Sequence, residues 1–219
     1  LDMQSGRPDL AMNLLSAPWQ HRPDDLQLAL NYISAACLAG GPTAPDTRAL
    51  ERALRTNAGG GPLVFEWLND MLDTVQAGRC PAVSIDNVER WARAALSNPR
   101  LAGMPGRRQD LHSVLGRIAL ARGDAVAALR EFRSALDAWP TPDAAAQQSA
   151  LLASTGHPAE GLAVLDHYAS IAPLRKRATG WNMPRVHQWV LERQDYWPKE
   201  LAELRRKMRA DLATEGTRP

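Results

Sequence analysis

Histidine and cysteine are the residues of this 219-residue chain best suited to metal binding or to acid–base and nucleophilic chemistry. The five histidines are scattered, and no two have the HxxxH or HExxH spacing that places two imidazoles on one face of a helix. The two cysteines are too few for a zinc site and lack CxxC spacing. The pattern therefore predicts no metal site, no cofactor and no catalytic residue.

Two further stretches contain residue types that could do chemistry. Asp166, His167 and Tyr168 are consecutive, and consecutive residues of a helix point about 100° apart, so these three cannot converge on one substrate. The segment AGGGP at residues 58–62 is glycine-rich like a phosphate-binding loop, but it lacks GxxxxGK[ST] and follows no predicted strand. We interpret the first stretch as exposed polar residues and the second as a linker between helices.

Charge is unevenly distributed along the chain. From Arg175 to the end there are 11 Lys/Arg and 6 Asp/Glu, whereas the preceding part has 15 and 18. A basic tail could attract nucleic acid or anionic lipid. Because Glu200, Glu203 and Asp211 interrupt the basic residues of the last helix, the pattern favours a solvated helix face, and we expect no nucleic-acid partner.

Helices must position any binding residues, since apolar residues recur at helical spacing and no stretch alternates with the period of a strand. Glycine or proline separates successive helical stretches. The sequence predicts an all-α chain of helical hairpins at about residues 25–57, 62–99, 108–140 and 141–173, preceded by a partial hairpin at 1–22.

The hairpin at 108–140 resembles the tetratricopeptide repeat (TPR). On the 34-residue frame of that family, eight positions match in register: Leu115, Gly116, Gly123, Ala128, Phe132, Ala135, Leu136 and Pro140. A shift of 33 residues maps Gly123 onto Gly156 and Pro140 onto Pro173. The resemblance implies a right-handed α-α solenoid of degenerate TPR-like hairpins over residues 1–173.

The glycine and proline residues between helices also predict where the array begins and ends. SGRP at Gly6 and TGHP at Gly156 are interpreted as turns within a hairpin, with Pro8 and Pro158 at the first position of the second helix. Because a first helix would have to precede Gly6, we expect the chain to begin inside a repeat of a longer polypeptide. Residues 174–219 are predicted to be a loop followed by a capping pair of helices within 184–213, with a basic tail.

The TPR resemblance implies a ligand groove lined by the first helices of the hairpins, with a protein or peptide as partner. The groove residues would be Asp110, Ser113 and Arg117 in one repeat, and Asp143 and Gln147 in the next. The carboxylate clamp of the family has Lys and Asn where Ser113 and Arg117 stand, so binding of an acidic chaperone tail is not expected. Arg117 with Gln147 could hold a single peptide carboxylate or carbonyl.

Cys37 and Cys80 are either two buried thiols or one disulfide. In a solenoid the turns that contain them lie side by side, close enough for the roughly 5.5 Å Cα separation of a disulfide. The GRCP turn looks exposed, which is a poor place for an inert thiol. An oxidised pair would place the domain outside the cytoplasm.

The Gly-x-Cys-Pro turn and the segment GHPAEGLAVLDHY are also similar to soluble C-terminal repeat segments of bacterial multi-spanning proteins of the lipid-linked-sugar glycosyltransferase or oligosaccharyltransferase kind. This resemblance implies a non-catalytic, extracytoplasmic (periplasmic) scaffold tethered to a membrane enzyme. A cytosolic TPR regulatory scaffold is the alternative, and it predicts reduced thiols. An enzyme is disfavoured because the sequence offers no paired titratable groups.

Overall fold

The computed structural model describes residues 7–22, 24–57, 63–178, 199 and 201–213. Within these ranges all regular secondary structure is helical, which confirms the predicted all-α class for the described part of the chain. The helices are α1 (Pro8–His21), α2 (Leu26–Leu38), α3 (Ala44–Thr56), α4 (Leu63–Gln76), α5 (Ile85–Ser97), α6 (Pro99–Ala102), α7 (Pro105–Ala121), α8 (Ala125–Ala138), α9 (Pro142–Ser154), α10 (Pro158–Ala178) and α11 (residues 201–213). None of the described helices is both long and apolar enough to cross a bilayer.

The chain divides into two compact units, Leu1–Asp124 and Ala125–Pro219. The first unit holds α1 to α7, and the second holds α8 to α11. The boundary falls at the turn of the hairpin predicted at 108–140. The predicted first helix of the cap, which begins at residue 184, lies outside the described residues, whereas α11 coincides with its second helix.

One turn geometry recurs at the ends of α2, α4, α7 and α9. Each helix is followed by a glycine with positive φ, a conformation in which a side chain is strained: Gly40 (125°), Gly78 (68°), Gly123 (76°) and Gly156 (87°). In each turn the amide of the next residue bonds to the carbonyl five positions back: Gly41 to Ala36, Arg79 to Thr74, Asp124 to Ala119 and His157 to Leu152, at 2.7–3.0 Å. This bond is the one that closes a Schellman motif. The predicted equivalence of Gly123 and Gly156 is confirmed as one turn geometry.

In the first unit the helices pack in succession. Helix α1 packs on α2, α2 on α3 and α4 on α5, while α3 packs on α5 and both α4 and α5 pack on α7. Trp91 on α5 is completely buried. Its Nε1 donates to the carbonyl of Thr47 on α3 at 3.1 Å, and its ring centroid lies 5.5 Å from that of Trp67. Trp91 therefore fills the space between successive hairpins.

Two asparagines fasten the helices of the first unit at the ends opposite the glycine turns. Asn57, the C-cap of α3, donates to the carbonyl of Asp24 at 2.9 Å. Asn98, the C-cap of α5, is buried and donates to the carbonyls of Leu54 (2.9 Å) and Asn57 (3.0 Å). Each bond satisfies a main-chain carbonyl at or near a helix end that has no partner in its own helix.

In the second unit, α9 packs on both α8 and α10. A Cβ atom on Gly161 of α10 would lie 2.7 Å from the carbonyl oxygen of Ser149 and 2.9 Å from Cε of Met208, so only glycine fits there. Met208 belongs to α11 and is buried. Helix α11 therefore packs on the apolar core of this unit, which also contains Leu165.

The predicted stop at Pro173 is wrong. Helix α10 begins at Pro158 as predicted, but it continues through Pro173 to Ala178, so residues 174–178 belong to a helix and not to a loop. An internal proline removes one backbone hydrogen bond, and the neighbouring bonds can still hold the helix together. Residues 175–177 thus belong to the last turn of α10.

Candidate functional site

The groove residues expected on α7 lie on one side of that helix. Asp110, Ser113 and Arg117 are spaced by three and four residues, which places their side chains along one stripe. All three are partly buried. The hydroxyl of Ser113 accepts a hydrogen bond from Nε2 of Gln109 at 3.0 Å.

Arg117 is held by α4. It donates through Nη1 to Oδ1 of Asn69 and through Nη2 to Oδ1 of Asp73, the latter at 2.6 Å. Its side chain remains 32% exposed, and that of Asp73 is 53% exposed. The guanidinium is thus fixed in one orientation and still reachable from solvent. The carboxylate that it binds is that of Asp73, in the same chain.

Sequence reasoning missed the residues of α4 that complete this surface. Glu66, Asp70 and Asp73 are exposed at helical spacing of four and three residues, beside Asn69. The surface formed by Asn69, Asp73, Ser113 and Arg117, which we call the α4–α7 surface, is bordered on α4 by the carboxylates of Glu66 and Asp70. Asp73 and Asn69 precede Arg117 by 44 and 48 residues, with extra residues in the intervening turn. A 33-residue period in the sequence therefore does not predict these pairings.

The groove residues expected on α9 belong to the second unit. Asp143 is exposed in the first turn of α9, and Gln147 is partly buried one turn later. The side-chain oxygen of Gln147 is buried and has no hydrogen-bond partner among the described residues. Burial, aided by the charge of Asp143, raises the pKa of Tyr168 on α10 to about 12. The predicted cooperation of Arg117 with Gln147 stays a prediction.

Cys37 and Cys80 are joined as a disulfide, with Cα atoms 4.9 Å apart. The turn around Cys80 is exposed as expected at Gly78, Arg79 and Pro81, but Cys80 itself is buried and only 1% exposed. The two turns approach so closely that a Cβ on Gly41 would lie 2.4 Å from Cβ of Ala82, and this approach buries the sulfur atoms. The Sδ atom of Met71 lies 3.9 Å from Sγ of Cys37.

The carboxyl groups with shifted pKa values are engaged by arginines. Hydrogen bonds from Arg205, and then from Arg209, lower the pKa of Asp166. Partial burial raises the pKa of Glu89, but the combined hydrogen bonds and charges of Arg122 and Arg93 outweigh it and leave the pKa below its usual value. The arginine ion pairs account for both pKa shifts. The shifts therefore do not identify either carboxyl group as an acid–base catalyst. Among the described residues no group of three His, Cys, Asp or Glu side chains could hold a metal ion.

No protein-family model matches the sequence, and no curated protein is significantly similar to it. The α4–α7 surface and the recurring turns are therefore the observations from which a function has to be argued.

Proposed function

We propose that this chain is a non-catalytic scaffold that binds a protein or peptide segment, built as a right-handed α-α solenoid of degenerate TPR-like hairpins. The observation that carries the proposal is the glycine turn repeated after α2, α4, α7 and α9, with the same main-chain bond each time. Arrays of such hairpins expose their first helices in a row, and their extended concave surfaces bind other chains.

The α4–α7 surface has the properties of a peptide-binding face. Asn69 and Asp73 orient Arg117, so its guanidinium loses little conformational freedom when a ligand binds. A guanidinium has five N–H donors, and those not directed at Asn69 and Asp73 can meet a ligand carbonyl or carboxylate. The carboxylates of Glu66 and Asp70 beside it favour a ligand segment that also carries a cation.

We further propose that the domain is extracytoplasmic and belongs to a larger membrane protein. The buried Cys37–Cys80 pair supports this, since disulfides persist in oxidising compartments and are rare in the cytosol. In a glycosyltransferase or oligosaccharyltransferase of the kind that the sequence resembles, the reaction would take place in another part of the protein. The cytosolic scaffold stays the alternative, and it requires both thiols to be reduced in cells.

Site-specific photo-crosslinking in the native host tests the scaffold proposal. A photoreactive amino acid replaces Ser113 on the α4–α7 surface or, as the matched control, Arg48 on the exposed side of α3. We expect a discrete crosslinked partner from position 113 that is absent from position 48, and its yield should fall when Arg117→Ala is added. Identical crosslinking patterns from both positions would contradict the proposal.

A further inference from the structure

Three sulfur atoms meet in the core of the first unit, beside the turns that follow α2 and α4. Sδ of Met71 on α4 lies 3.9 Å from Sγ of Cys37 on α2, and Sγ of Cys37 is bonded to Sγ of Cys80. All three side chains are buried, with exposed fractions of 4% for Met71, 4% for Cys37 and 1% for Cys80. Opening the Cys37–Cys80 bond therefore leaves two thiol groups beside a thioether.

The ligand types and their spacing suit a soft monovalent metal ion. Thiolate and thioether groups select Cu(I), whereas hard cations take oxygen ligands. With metal–sulfur bonds of about 2.3 Å, the length of a zinc–thiolate bond, two ligands of one trigonal ion lie about 4 Å apart. The 3.9 Å between the sulfur atoms of Met71 and Cys37 agrees with that separation. The Cα atoms of Cys37 and Cys80 are 4.9 Å apart, so rotation about the Cα–Cβ bonds suffices to separate the two Sγ atoms once they are no longer bonded.

We propose that the reduced chain binds one Cu(I) ion through Cys37, Cys80 and Met71, together the three-sulfur site. A dithiol reductant opens the disulfide: one of its thiolates attacks a cysteine sulfur atom, its second thiol then closes a disulfide in the reductant, and both cysteines are released as thiols. Cu(I) displaces the two thiol protons to water, and Met71 contributes a lone pair without losing a proton. The metal ion keeps its oxidation state, because the two electrons pass only from the dithiol to the disulfide.

The three-sulfur site discriminates between metal ions by its ligand set. Structural Zn²⁺ takes four ligands from cysteine, histidine and carboxylate groups, and in the described part of the chain no three such groups are placed to hold an ion. The reductant and the ion reach the sulfur atoms by local opening of the turn around Cys80, where Gly78, Arg79 and Pro81 are exposed. The proposal does not depend on the peptide-binding function, so either can fail without the other.

Anaerobic titration with Cu(I) tests the proposal. The 219-residue chain is reduced with dithiothreitol, freed of the reductant and titrated in the presence of bathocuproine disulfonate, a coloured chelator that competes for Cu(I). We expect the reduced chain to take up one Cu(I) ion against the chelator. The oxidised chain should take up none, because a disulfide offers no thiolate to the ion.

Met71→Leu separates the three-sulfur site from two cysteines that act alone. Leucine has nearly the volume of methionine, so the variant should fold with little loss of stability. Its affinity for Cu(I) should fall at least about tenfold, the lower limit for groups that merely orient a metal ligand. Met104→Leu is the matched control, because it makes the same change at a methionine that is 44% exposed at the N-cap of α7. We expect this control to bind Cu(I) as the unchanged chain does.

X-ray absorption spectroscopy of the unchanged chain with Cu(I) bound keeps the test decisive if the Met71 variant does not fold. Three sulfur neighbours of the ion are expected, and two would contradict the proposal. Two titration results would also overturn it. One is the absence of Cu(I) uptake by the reduced chain. The other is equal affinity of the Met71→Leu and Met104→Leu variants, which would show that the thioether of Met71 serves only packing.

Discussion

Arg122, the residue that follows α7, donates a hydrogen bond through Nη1 to Oε2 of Glu89 on α5. The same guanidinium also binds Asp86, and Glu89 accepts a second arginine, Arg93, from its own helix. Glu89 is the better shielded of the two acids, with 20% of its side chain exposed against 70% for Asp86. This cluster ties the end of one hairpin's first helix to the second helix of the preceding hairpin.

Glu89→Gln should destabilise the first unit in a pH-dependent way. The folded-state pKa of Glu89 lies below its ordinary value of 4.5, so its stabilising effect is present above pH 4.5 and is lost as the pH falls through the folded-state pKa. We expect a loss of about 0.5–1 kcal/mol at pH 7, measured by urea unfolding, that shrinks as the pH is lowered below 4.5. A more exposed control, Asp86→Asn, should cost less, and an equal pH-independent loss in both variants would contradict the assignment.

The Cys37–Cys80 bond should contribute strongly to stability. It closes a sequence separation of 43 residues, and a loop of that size is stabilised by about 2–4 kcal/mol. Cys37→Ser and Cys80→Ser should each lose this amount, and the double variant should lose little more, because either substitution removes the same bond. Additive losses would argue for two independent buried thiols.

Thiol alkylation of freshly lysed native cells gives the state of the same pair in its compartment. An extracytoplasmic domain should resist alkylation until it has been reduced and unfolded, since both sulfur atoms are buried as well as bonded. Alkylation of both cysteines after unfolding without a reductant would support the cytosolic alternative.

Gly161→Ala and Gly106→Ala should change stability in opposite directions. The new methyl group at position 161 would overlap the Ser149 carbonyl and Met208, at a cost of about 1–3 kcal/mol. At position 106, near the start of α7, it would meet no atom within 4 Å and would gain up to about 1 kcal/mol from helix propensity. Thermal unfolding of the two variants measures this, and equal effects would show that α9, α10 and α11 do not approach as described.

Asp166 should control the attachment of α11. Its carboxylate accepts from Nε of Arg205 at 2.8 Å and from Nη2 of Arg209 at 2.9 Å, which joins α10 to α11. Asp166→Asn should therefore raise amide hydrogen exchange within residues 201–213 several-fold while α9 stays protected. The exposed pair of Arg206 and Glu203 lies within α11 itself, so Glu203→Gln should change nothing, and an equal effect of both variants would exclude a specific role for Asp166.

Local signals predicted the helices and their turns because glycine and proline act on their own backbone. Gly123 and Gly156 were found from sequence since a turn that needs positive φ selects glycine wherever it recurs. The same reasoning failed at Pro173, because a proline restricts the residues beside it without deciding whether the surrounding packing keeps the helix intact.

Long-range pairings could not be predicted in the same way. The partners of Arg117 on α4 lie 44 and 48 positions earlier, and the burial of Cys80 depends on the packing of two turns. The partners of Arg117 and the burial of Cys80 both depend on how one hairpin packs on the next. Extra residues between hairpins remove the regular sequence period from which this packing could be predicted.

The main-chain acceptors of Asn57, Trp91 and Asn98 bear on how such a chain can change over generations. All three side chains donate to carbonyl oxygens of an earlier helix or its flanking residue, and every amino acid supplies that oxygen. A substitution at Asp24 or Thr47 thus keeps the carbonyl oxygen on which the contact between hairpins depends. The accepting residue of each contact can therefore be any amino acid. Neighbouring hairpins can consequently lose most of their sequence similarity and still stack on one another.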